Sequence, residues 1–197
     1  MTTVAMTTAC SDAPAKKPHV QAKLPAPDSF KVAFETSRGR FVVQVNRALA
    51  PRGADRFYEL VVDNFFDENR FFRVVPDFVA QFGLSNEKEL NELWDDKTIL
   101  DDSVRTGNVR GTLVYATEGP NLRSHQLFIN LVDKNTRLDA LGFAPIGKVV
   151  EGMGVVDSLY SAYGDDPNQH LIRSLGISYL NRMFPRLDYI RATSLVP

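Results

Sequence analysis

Arg73 and Gln81 stand in the run Phe71-Phe72-Arg73-Val74-Val75-Pro76-Asp77-Phe78-Val79-Ala80-Gln81-Phe82-Gly83, a guanidinium and an amide among apolar residues. Polar groups in such a setting cost free energy unless they are hydrogen-bonded. Two kinds of partner are open to them. The first lies in the protein, with Arg73 a structural cation beside an Asp or Glu and Gln81 a satisfied strand amide. The second is a ligand. In that case the chemistry is that of a fixed donor, because a guanidinium is a planar fork that holds two partners at once and an ammonium is not. Other machinery is poorly supported. Ser124-His125 invites a hydrolase, but the G-x-S-x-G turn that would expose such a serine is missing. His19, His125 and His170 are far apart and lack metal-ligand spacing. The lone Cys10 excludes an intrachain disulfide framework and a multi-cysteine metal site. No metal and no cofactor are expected.

The elements that must hold these residues read as follows. Side chains on a strand alternate between faces, so Phe78, Ala80 and Phe82 are expected on one face and Val79, Gln81 and Gly83 on the other. Arg73 sits on the preceding strand, across a turn at Pro76-Asp77. Residues 30–35 and 40–45 form a hairpin about Thr36-Ser37-Arg38-Gly39. Pro51 can open a helix running to about Asn64, with Ala54, Phe57, Tyr58 and Val61 on one face. Residues 84–110 are polar and irregular apart from a short helix near Glu87–Trp94, and a loop of that length is usually functional or a lid. Strands follow at 112–116, 126–131 and 143–150, and a helix at 154–160. A C-terminal helix is expected over Asn168–Phe184, with Ile172, Leu175, Tyr179 and Met183 on one stripe and Gly176 weakening its middle. Many short strands without βαβ alternation argue for a mainly β protein, a closed antiparallel barrel with two helices at its open ends.

The 197 residues fit one domain plus a tail, and a net charge of −1 gives no argument for nucleic acid or an anionic membrane as partner. No apolar run approaches the roughly 20 residues of a membrane-spanning helix. Residues 1–29 are rich in Ala, Thr, Pro and Lys and are read as a disordered tail, with Pro14, Pro18, Pro25 and Pro27 opposing a helix. Within it, Met6-Thr7-Thr8-Ala9-Cys10-Ser11-Asp12 is similar to a bacterial lipobox, although Thr7 stands where Leu is usual and no basic n-region precedes it. A start further upstream would account for both. Two locations are therefore expected in the alternative: periplasmic or membrane-anchored through Cys10 in that case, cytoplasmic otherwise.

Four ordered segments then resemble one family. Phe72 to Gly83 is similar to the cyclophilin signature F-H/F-R-x-x-x-x-F-x-x-Q-x-G. Gly111-Thr112-Leu113-Val114-Tyr115-Ala116 leading to Gly119-Pro120-Asn121 resembles its G-x-x-x-M-A-x-x-G-P-N. Gln126-Leu127-Phe128-Ile129 resembles Q-F-F-I, and Leu138-Asp139 with Phe143 to Val149 resembles L-D…F-G-x-V in a form frequent in bacterial members. The resemblance covers about residues 30–162, and the stretch from Tyr179 to Ile190 also resembles a bacterial subgroup. It implies an eight-stranded barrel capped by two helices over 30–162, and the helical pattern beyond is read as an extension over 163–197. It also implies peptidyl-prolyl cis–trans isomerase activity that assists folding.

That reaction rotates an X–Pro bond over a barrier of about 20 kcal/mol, which takes tens to hundreds of seconds unaided. No bond breaks. In the twisted state the proline nitrogen becomes pyramidal and gains a lone pair, and a donor aimed there binds the twisted form better than the planar one. The resemblance makes Arg73 that donor. Phe78 and Phe128, which alone would read as core aromatics, become walls of a proline socket with Val79, Leu138 and Phe143. Gln81 orients the arginine or a substrate carbonyl. Gln126 and the backbone of Ala116–Thr117 pair with the extended peptide. The partners implied are proline-containing unfolded or extended polypeptides, met by a monomer.

The chain departs from the family pattern at its rim. Arg137 stands where many eukaryotic members have a pocket tryptophan and Phe143 where they have histidine, which weighs against tight cyclosporin binding. Thr117-Glu118 replaces Asn-Ala or Ala-Gly, and Glu118 would either narrow the pocket, favour a basic residue two before the proline, or be an ordinary exposed carboxylate. His125 replaces a small residue before Gln126, where it would crowd that glutamine or tune binding with pH. The altered rim leaves one alternative, a non-catalytic proline-peptide binding module or chaperone on the same fold.

Overall fold

A computed structural model describes residues 25–197. Cys10 and the lipobox-like run lie outside the described residues. Eight strands, all antiparallel, make one curled sheet: β1 (Ser29–Thr36), β2 (Gly39–Asn46), β3 (Arg73–Val75), β4 (Val79–Phe82), β5 (Thr112–Tyr115), β6 (Leu127–Asn130), β7 (Pro145–Glu151) and β8 (Ile190–Val196). Their order is β3-β4-β6-β5-β7-β2-β1-β8. The end strands β3 and β8 share no ladder, so the sheet is described as a curled half-barrel in place of the fully closed barrel expected. Between the segments beside those ends there is a single bridge, Arg70–Tyr189, flanked by bonds from Phe71 N–H to the Asp188 carbonyl and from Ile190 N–H to the Asn69 carbonyl, each 2.9 Å.

The concave side of the sheet is filled with aromatic rings. Phe34 stacks on Phe41 at 4.6 Å and meets Phe82 edge-on at 5.7 Å, and Phe66 joins Phe82 and Phe57. Each buried side chain of this size contributes roughly 1.5–3 kcal/mol from water exclusion. Helix α1 (Pro51–Val62) closes this side with Ala54, Phe57, Leu60 and Val61, and Pro51 opens it as expected. Arg56 on the same helix is also buried, and its guanidinium bonds the Lys97 and Ser124 carbonyls, stapling two loops. Ala26, within the stretch read as a disordered tail, is buried in the core, and its N–H donates to Asp55.

Ala80 and Phe82 point into this core, while Val79 and Gln81 face the other way. Phe78 breaks the expected alternation and packs with Val79 and Phe128. The reason is local: it precedes β4, in a turn where Asp77 takes a positive φ and the Phe78 N–H bonds the Val75 carbonyl. Period two holds only within a strand.

Helix α2 (Lys88–Asp95) and α4 (Met153–Asp157) fall where the pattern places them, and a short α3 (Arg137–Ala140) was not anticipated. The single C-terminal helix expected over 168–184 is two, α5 (Gln169–Leu175) and α6 (Ile177–Met183), broken at Gly176. Gly176 sits at φ 58°, ψ −144°, and a β-carbon there would lie 2.5 Å from the Asn86 carbonyl oxygen. The break resets the helical stripe. Ile172 and Leu180 are buried with Phe72, Leu84 and Leu187 in a second small core, while Leu175 and Met183, expected to pack, are exposed. The segment read as a helical extension also supplies β8, which pairs with β1 from Lys31–Val196 to Thr36–Ile190.

Candidate active site

Strand register sets the centre of the site. Arg73 is opposite Gln81 across β3 and β4, and Gln81 is opposite Phe128 across β4 and β6. Three residues from three strands thus form one row on the face turned away from the aromatic core. Beside the row, Val79, Val114, Phe128 and Leu138 make a buried apolar cluster, with Phe78, Ala116 and Phe143 packed partly exposed against it. The Phe128 and Phe143 rings lie 6.0 Å apart and tilted by 59°, leaving an apolar recess with a fixed cation at its edge.

All eleven residues picked out from the sequence line one groove of about 580 Å³: Arg73, Phe78, Val79, Gln81, Ala116, Thr117, Glu118, Gln126, Phe128, Leu138 and Phe143. The polar ones form a chain. Arg73 Nη1 donates to Gln81 Oε1 at 3.4 Å, and Gln81 Nε2 donates to Gln126 Oε1 at 2.9 Å. Arg73 is 26% exposed, and its nearest carboxylate oxygen, on the solvent-facing Asp165, is 3.9 Å away. Its other donor capacity is unspent among the described residues. The guanidinium carbon also lies 5.4 Å from the Phe78 ring, and that of Arg137 lies 5.3 Å from the same ring. Arg137 therefore stacks at the edge of the socket without lining it.

Gly83, just after β4, takes φ 101°, and a β-carbon there would lie 2.4 Å from the His125 carbonyl oxygen. That close approach brings Gln81 and Gln126 within bonding distance. Ala116 N–H donates to the Gln126 carbonyl at 3.0 Å, extending the β5–β6 pairing one step into the groove wall. The Thr117 hydroxyl is tied to Gly119, fixing the loop, and Glu118 is exposed on the lip.

Several contributors were not picked out from the sequence. Asn130 and Asn135 are buried, and the Asn135 amide bonds Asn130 at 2.7 Å and the Phe78 carbonyl at 3.0 Å. Asn108 donates to the Phe143 carbonyl and to Asp139. This network braces two socket walls from behind, and lone asparagines carry no sequence signal of such a role. A second stretch of wall comes from Asp95, Thr98, Leu122 and Ser124 and, on α5, Gln169, His170 and Arg173. His125 does not line the groove. It is fully buried, with Nδ1 2.6 Å from the Gly83 carbonyl and Nε2 2.8 Å from Asp95. Burial pushes the Asp95 carboxyl up, but His125 and Arg173 together outweigh it and hold it below the ordinary aspartate range. Among the described residues no group of three His, Cys, Asp or Glu is placed to hold a metal.

The chain is also similar to known proteins of one family. The family model "Cyclophilin type peptidyl-prolyl cis-trans isomerase/CLD" matches residues 31–177. A peptidyl-prolyl cis-trans isomerase of Acinetobacter baylyi is 35% identical over 147 residues, covering 70% of this chain and 77% of that protein. Peptidyl-prolyl cis-trans isomerase B of Escherichia coli is 29% identical over 136 residues, covering 65% of this chain and 82% of that protein. A solved cyclophilin-type isomerase of Cryptosporidium parvum superposes with a TM-score of 0.62 at 16% identity, over 86% of this chain and 98% of its own. On these grounds the chain belongs to the cyclophilin-type peptidyl-prolyl cis–trans isomerases and has their fold and activity.

Proposed function

We propose that this isomerase turns X–Pro bonds in extended polypeptides by seating the proline ring in the recess of Phe78, Val79, Phe128, Leu138 and Phe143. Arg73 donates to the proline nitrogen as its lone pair emerges. Gln81 holds the arginine from one side and hands the chain of bonds to Gln126. Gln126 and the Ala116–Thr117 backbone grip the peptide flanking the proline, and Glu118 on the lip favours a basic residue in that flank. The protein acts as a monomer, and the bridge at Arg70–Tyr189 closes its sheet into a barrel. The observation that carries the reading is the Arg73–Gln81–Phe128 row, a partly exposed cation with open donor capacity at the edge of an apolar recess.

A donor that acts mainly in the twisted state raises kcat, and each ~1.4 kcal/mol so gained is tenfold in rate. Removing one such preorganised donor costs about 100-fold. The test is two-dimensional NMR exchange on an X–Pro peptide. Wild type accelerates exchange well above background, and Arg73→Ala lowers that acceleration about 100-fold. An undiminished rate in Arg73→Ala would remove the arginine from the mechanism.

A further inference from the structure

We infer that α5 gives the groove a second, charge-reading wall, where Arg173 with His170 selects proline segments that carry an Asp or Glu near the proline. The inference rests on the groove being the place where the X–Pro segment binds, and it goes beyond the proline recess itself.

The wall is built in. Ile172 is fully buried in the small core with Phe72 and Leu84, which roots α5 beside β3 and β4. The Asn168 side chain accepts from the His170 and Leu171 N–H groups, fixing where the helix starts. His170 and Arg173, three apart, share one helix face. Both line the groove that Arg73 lines.

Arg173 is held in place and still has capacity to bind. Its Nε lies 3.4 Å from both Asp95 oxygens. Its terminal nitrogens make no hydrogen bond among the described residues, and the side chain is 25% exposed. Asp95 is not held by Arg173 alone. The same carboxylate faces His125 Nε2 at 2.8 Å, and His125 Nδ1 faces the Gly83 carbonyl at 2.6 Å. One carboxylate is thus divided between Arg173 and the buried His125, and the terminal nitrogens of Arg173 are left to face the groove. Of the groove's other lining residues, Glu118 is the sole further acid, on the β5–β6 loop. This wall and Arg73 line one groove, so a polypeptide held at Arg73 has the α5 wall within the same groove. A carboxylate in that polypeptide is the matching group, since Arg grips carboxylates with two parallel N–H bonds.

The test is a set of Ala-rich X–Pro peptides carrying Glu, Gln or Lys in turn at each of the flanking positions on either side of the proline. Relative kcat/KM and, by fluorescence anisotropy, relative affinity are read for each. At one position Glu exceeds Gln by about threefold in wild type, as a partly exposed ion pair allows, and Lys falls below Gln. The Glu-to-Gln ratio goes to one in Arg173→Gln and is kept in Arg173→Lys, which retains the charge. A wild-type ratio of one at every position overturns the inference, and so does a ratio that survives in Arg173→Gln. Should wild type accelerate no peptide at all, the isomerase reading of the groove fails, and the affinity ratios alone decide the role of Arg173.

Discussion

Arg73 illustrates how residue type, and not charge alone, sets the site. Its guanidinium reaches Gln81 through Nη1 while lying over Phe78. A lysine would keep the charge but, in the proposed mechanism, could not hold the glutamine and the proline nitrogen in one plane. Arg73→Lys is therefore expected to lose at least about tenfold in kcat, with peptide affinity little changed, in single-turnover or NMR exchange measurements. Wild-type kcat in that variant would mean that charge alone suffices. Asp95 makes a different prediction. Its folded-state carboxyl is held below the ordinary value of about 3.9. A group depressed in this way stabilises the fold above the unfolded value and loses that contribution as pH falls through the folded one. In urea titrations Asp95→Asn is expected to be less stable than wild type at neutral pH. The gap closes as pH drops through the acid range below 3.9, and a gap that stays constant through that range would contradict the assignment.

At the scale of elements, what the sequence disclosed follows from how local each signal is. The centre of the site was legible because Arg73, Gln81 and Phe128 lie within strands, where period two and a dense motif agree. Phe78 was placed on the wrong face because its orientation belongs to a turn. The α5 wall was not legible, since Arg173 enters the groove only through the packing of Ile172 against residues a hundred positions earlier. Gly176 was recognised as a weak point in one helix, whereas it separates two. Its backbone is in a region reserved for glycine, and a methyl group there would collide with Asn86. Gly176→Ala is expected to cost about 2 kcal/mol of stability, seen as a lower denaturation midpoint. A conservative change on the exposed face, Leu175→Ala, should cost less than about 0.5 kcal/mol. If the two variants were equally stable, the break would be a matter of propensity and not of geometry.

For the whole molecule, the last strand decides where the domain ends. The motif-bearing region up to residue 162 looks self-sufficient in sequence, because the polar alternation of Ile190–Val196 is weak beside the helices before it. In the sheet, β8 covers β1 over six register pairs and carries Ile190 into the main core. Leu187, just before it, covers Phe72 and Leu84 together with α5 and α6. Without β8, one side of β1 presents unpaired backbone groups, which invite association with other chains. The lost pairing and burial are comparable with the whole stability of a domain, about 5–15 kcal/mol. Two shortened chains separate the contributions. One ending at residue 162 lacks the small core and β8. One ending at Asp188 keeps α5, α6 and Leu187 and lacks β8 with the adjoining Tyr189 bridge. Both are expected to aggregate on size-exclusion chromatography and to melt without a cooperative transition by circular dichroism. If the chain ending at Asp188 instead melted cooperatively at the wild-type temperature and kept full isomerase activity, β8 would be an ornament on a sheet complete without it.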